Sequence, residues 1–116
     1  MLHPLVTQLR FARREWIRGL KAVTAAEAAR RFGSINPIAW MIGHADPYLD
    51  GLAGSQLTRR WRREPSRETP GTKLHRTAYH YWFHLGESQA IRQLLGHTRL
   101  PDFVGSFGTS QYRPEC

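Results

Sequence analysis

The chain has 116 residues, 17 Lys and Arg against 9 Asp and Glu, and a net charge of +8. That length suits one domain, 1–116, around a single core, and four Trp with five Phe supply its large apolar pieces, which excludes a disordered chain. No apolar run approaches the ~18 residues of a membrane span. The start "MLHPLVTQLRFARRE" lacks a basic-then-apolar secretion layout, and the lone Cys116 has no internal partner, so a cytoplasmic setting without disulfides is expected.

The first element predicted is a helix over 5–21. Leu5, Leu9, Ala12, Trp16 and Leu20 recur at spacings of four, three, four and four, one apolar stripe, while Arg10, Arg13, Arg14 and Arg18 fall largely outside it. Pro4 suits the first turn. In "TAAEAARRFG", Thr24 and Glu27 form a capping-box pattern for a short helix that Gly33 can end in a left-handed conformation. A second main helix is predicted over 36–45, with Asn36 as cap, Pro37 at the first helical position, and Ile38, Met41 and Ile42 packing on one side. Asp46-Pro47 should break it, with Asp46 capping a separate short piece, "PYLDGLAG".

From Ser55 to Gly71 the chain is polar, and the weak alternation of Leu57, Arg59, Trp61 and Arg63 allows a short hairpin. Thr72 is expected to open the last and longest helix, 72–95, stopped by Gly96. The tail over 97–116 is punctuated by Pro and Gly, and Phe103, Val104 and Phe107 are available to wrap over the helices.

The last helix carries the chemistry. Taking His80 as zero at 100° per residue, His84 lies at about 40°, Glu87 at about −20°, Ile91 at about 20°, Lys73 at about 20° and Arg76 at about −40°. One face therefore runs from charged, through His-His-Glu, to apolar. Two imidazoles at i and i+4 can be two thirds of a metal site or merely two polar residues on a wet helix. A divalent ion wants at least three protein ligands. His75 lies about 220° around the helix from His80, His97 follows the Gly96 stop, and His3 sits near the chain start. His44 is the better third candidate, because the apolar run before it would fix where its ring points. Glu87 can orient a ligand histidine or pair with Arg92 or Arg76.

Two stretches carry a family resemblance. "SINPIAWMIGH" resembles the helix ending in Gly-His of the DinB-like four-helix-bundle proteins, a large bacterial group, and "HYWFHLGESQAIRQLLGH" resembles their last bundle helix with its His-x-x-x-His. The resemblance implies an all-α up-down bundle and a metal held by His44, His80 and His84. Because "GHADPYLDGLAG" runs on directly where that family has further helix, it also implies a bundle missing part of its central helices. An uncovered helix face would then favour a homodimer. Relatives in this superfamily include thiol-dependent transferases and isomerases. By that likeness the cofactor is a divalent ion, zinc or nickel, the partners are a low-molecular-weight thiol and an acidic substrate, and Lys73 and Arg76 receive the substrate carboxylate.

Two other functions compete with this one. The first is a non-catalytic interaction module that keeps the helices without the pocket. The second is a nucleic-acid binder acting through "TRRWRRE", with Trp61 stacking on a base. The basic charge is otherwise spread along the chain without a recognisable nucleic-acid motif, so a solvated surface is preferred to it.

Overall fold

The structure, a computed structural model, describes residues 3–53 and 69–102. Among these residues the chain is all-α, with helices α1 (Pro4–Gly19), α2 (Ala25–Ala29), α3 (Ile38–Ala53) and α4 (Pro70–Leu94). Helix α4 packs along α1 and against α3, and α3 also touches α2. The hairpin expected before α4 and the tail residues Phe103, Val104 and Phe107 lie outside the described residues, as does Trp61.

Each helix start has a local cause. The His3 ring accepts from the Leu5 N–H at 3.2 Å and Pro4 opens α1, so a donor left over at the helix end is satisfied where proline needs none. The capping box of α2 forms in both directions: Thr24 Oγ1 accepts from the Glu27 N–H, and Glu27 accepts from the Thr24 N–H. Helix α4 begins earlier than predicted. Thr69 rather than Thr72 is the cap, accepting from the Thr72 N–H at 3.1 Å, with Pro70 at the first helical position.

Other boundaries also depart from the sequence reading. Helix α1 closes at Gly19, and Ala22 turns the chain with φ 68, so the helix does not reach 21. Helix α2 ends on an extended Arg30, and Gly33 (φ 54) serves instead the tight turn that bridges Phe32 to Ile35. Helix α3 starts at Ile38, with the Pro37 carbonyl accepting from the Met41 N–H. It does not break at Asp46-Pro47 but continues to Ala53 as one helix. A single interior proline removes one hydrogen bond at a cost of about 3 kcal/mol, which the rest of the helix tolerates. Gly96 takes φ 84 just after α4, as its position past the last turn suggested.

The core is built from the predicted stripe of α1 and its facing residues. Leu9, Ala12 and Trp16 of α1 share one buried cluster with Ala78, Tyr81, Leu85 and Ile91 of α4 and with Ile38, Met41 and Ala45 of α3, and α4 is the helix that touches both of the others. Ile42, expected to share the packing of Ile38 and Met41, is instead exposed.

At the far end of α4 a polar lock joins three elements. Arg92, itself buried, donates to the Gly19 carbonyl at 2.7 Å and to His97 Nδ1 at 3.0 Å. Gln89 donates to the same Gly19 carbonyl at 3.0 Å. His97 Nε2 lies 2.8 Å from the Glu27 carboxylate. Because Nδ1 accepts from Arg92, Nε2 carries the proton and donates to Glu27. The last carbonyl of α1, the first turn of α2 and the end of α4 are thereby tied together.

Two outcomes follow for stability. Trp16→Ala should cost about 3–5 kcal/mol in urea unfolding, the usual loss for a buried Trp. The Glu27 carboxyl is lowered from 4.5 to about 2, first by the Thr24 backbone N–H and then by His97. Its folded value lies below its unfolded one, so its contribution is present above about pH 4.5 and lost as the pH falls toward 2. Glu27→Gln should flatten the acid limb of a stability-against-pH curve in that window; an unchanged limb would show that the Glu27 charge adds nothing there.

Candidate metal centre

The histidines of α3 and α4 meet beside the core. His80 and His84 lie one turn apart on α4, so helix geometry aligns their rings, with centroids 4.3 Å apart. His44 reaches them from α3, with its ring 5.0 Å from His80 and 5.4 Å from His84. The helix that carries it is seated by Ile38 and Met41, both fully buried. One nitrogen from each ring can be chosen so that all three lie within 4.8 Å of one another, a set that could hold a metal ion.

Burial grades across the cluster. His84 is buried, while His44 and His80 are half-buried, so the set has a dry side and a wet side. Trp16 lies against His84 on the dry side, its ring 6.0 Å away and inclined by 20°. Its Nε1–H is buried with no hydrogen-bond partner among the described residues. Tyr81, 5.3 Å from Trp16, continues the same wall.

Glu87 stands beside the deepest of the three rings. Its Oε1 lies 2.8 Å from His84 Nδ1. An ionised carboxylate only accepts, so His84 donates from Nδ1 and its Nε2 keeps a lone pair. That Nε2 faces His80 Nε2 at 3.0 Å. Two nitrogens on one tetrahedral ion at about 2.0–2.1 Å would stand about 3.3 Å apart, so this pair already has close to the required spacing. A nitrogen of His44 lies within 4.8 Å of this pair.

Burial is the main cause that lowers the His80 pKa below the usual imidazole range, and the charges of His84, His44 and Arg76 act in the same direction against Glu87. A neutral imidazole is the form that binds metal. Arg76 is exposed one turn before His80, and Lys73 is half-buried a further turn away, its carbonyl accepting from Thr77 at 2.7 Å. Arg92 is committed to Gly19 and His97.

The remaining histidines are engaged elsewhere. His3 caps α1, His75 packs against Tyr79 with ring centroids 4.5 Å apart, and His97 belongs to the lock.

Two neighbours of the cluster were not singled out from sequence. Trp40 stacks on His44 at 4.5 Å with planes 14° apart, and Phe83 meets His84 at 5.3 Å. Trp40 was within reach of the same rule that aligned His80 with His84, since it precedes His44 by four residues on α3.

No family model matches the chain, and neither a curated protein nor a solved structure matches it. Among the described residues, no helix is long and apolar enough to cross a membrane.

In the metal-free protein His84 should be the Nδ1–H tautomer. Long-range proton–nitrogen correlations of its ring will show this directly, and Glu87→Ala should allow the Nε2–H form to appear. A dominant Nε2–H form in the unaltered protein would remove Glu87 as the orienting group.

Proposed function

We propose that this protein is a divalent-metal-binding helical protein whose ion is held by His44, His80 and His84 and keeps open positions for chemistry. The observation that carries this reading is the convergence of three ring nitrogens from two helices within 4.8 Å. The hydrogen bond from His84 to Glu87 supports it, because a carboxylate behind a ligand histidine fixes the tautomer and raises ligand basicity. Imidazole ligands suit zinc and nickel among available ions.

Three neutral nitrogens leave at least one position for water or an exogenous ligand, and an ion so held lowers the pKa of bound water toward about 7. A thiol bound there would be ionised in the same way. The resemblance of residues 34–44 and 72–97 to the DinB-like proteins extends the proposal to a reaction with a low-molecular-weight thiol. Arg76 and Lys73, on the turns before His80, would then receive the acidic substrate.

Metal analysis tests the reading. The chelator-stripped chain should take up one equivalent of zinc or nickel, and binding should weaken as the pH falls and the imidazoles protonate. Glu87→Gln should lower affinity by about 10–100-fold. His80→Ala should lower it further. Uptake well below one equivalent, or uptake indifferent to His80→Ala, would leave a helical module without a metal.

A further inference from the structure

Two aromatic rings lean on the histidines while keeping much of their surface in solvent. Trp40 is 45% exposed and Phe83 62% exposed. Trp40 stacks on His44 and also meets His84 edge-on at 6.3 Å, and Phe83 meets the same His84 from its own helix at 5.3 Å. One ring comes from α3 and the other from α4, so they flank the cluster from both helices that build it. Rings of this size bury roughly 150–250 Å² when covered, and leaving two half-open beside one polar cluster favours a ligand that covers them.

The charge of the centre defines the other end of that ligand. Imidazole ligands are neutral, so a divalent ion held by three of them keeps its full charge. Glu87 places one negative charge beside His84 and Arg76 one positive charge on the turn before His80. The open positions of the ion therefore select an anionic head group.

We infer that the centre binds small anions with an aromatic body, the head on the ion and the ring against Trp40 and Phe83. This rests on the metal-binding reading above. It adds that Trp40 and Phe83 set specificity by contact with the ligand rather than by building the fold, since both are largely outside the core.

The test uses the full chain loaded with cobalt(II), whose visible bands report the ion's ligands. Cobalt stoichiometry is measured first. Benzohydroxamate and acetohydroxamate are then titrated, because they share a chelating head and differ in the ring. The protein should prefer benzohydroxamate by about tenfold more than cobalt does in water, as two ring contacts worth about two- to tenfold each would give. Phe83→Ala should reduce that preference severalfold while acetohydroxamate affinity stays the same, and Phe83→Leu should fall between; Trp40→Leu, which also removes the ring stacked on His44, is read only through the ratio of the two hydroxamate affinities, which should fall severalfold. A protein that binds one cobalt but shows no added preference would overturn this inference and leave the metal reading standing. Failure to bind cobalt would overturn both. Loss of the preference at concentrations where sedimentation detects self-association would assign the rings to a second copy of the chain and overturn the ligand role.

Discussion

The contact between Trp16 and the middle of α4 governs both the fold and the histidine cluster. Trp16 packs on Tyr81, one face of α4, and on His84, the deepest ring of the cluster. The indole that closes the core is thus also the floor on which the deepest histidine rests. A buried Nε1–H left without a hydrogen bond, as this one is among the described residues, costs about 1–3 kcal/mol. The buried area of so large a ring offsets that cost only while the surrounding packing stays tight. Position of the imidazole and stability of the domain are therefore coupled at one residue.

The cluster divides the work among its three rings. His84 is immobilised on both nitrogens, by Glu87 on one side and by His80 on the other. His80 sits where burial and neighbouring positive charge favour its neutral state. His44 is the adjustable member: it reaches in from a different helix and is steadied by the stacked face of Trp40. A centre with two rings on one helix and a third from another is registered first by helix periodicity and then by how the two helices pack.

What sequence could reveal follows that order. The alignment of His80 with His84 and the placing of Glu87 beside them come from the 3.6-residue period alone. The candidacy of His44 came from the apolar residues ahead of it, and Ile38 and Met41 are indeed seated in the core. Ile42 was read the same way and points outward, because a run that is apolar on several sides does not say which side the partner helix takes. Pro47 was read as a break, because local rules count the lost hydrogen bond and not the stability of the helix on either side of it. The lock of Glu27, His97 and Arg92 was beyond local reading: its His97–Glu27 contact joins residues 70 positions apart. The exposed faces of Trp40 and Phe83 were equally hidden, since both residues would pass as ordinary core aromatics until the helices are placed.

The carbonyl of Gly19 receives Arg92 across 73 residues, so the two ends of the helical framework meet directly rather than through the middle of the chain. Closing so long a loop carries an entropy that grows only with the logarithm of its length, and doubling it would cost about 0.6 kcal/mol more. The pairing of α1 with α4 therefore depends less on how many residues separate the partners than on the two donors that meet at the Gly19 carbonyl.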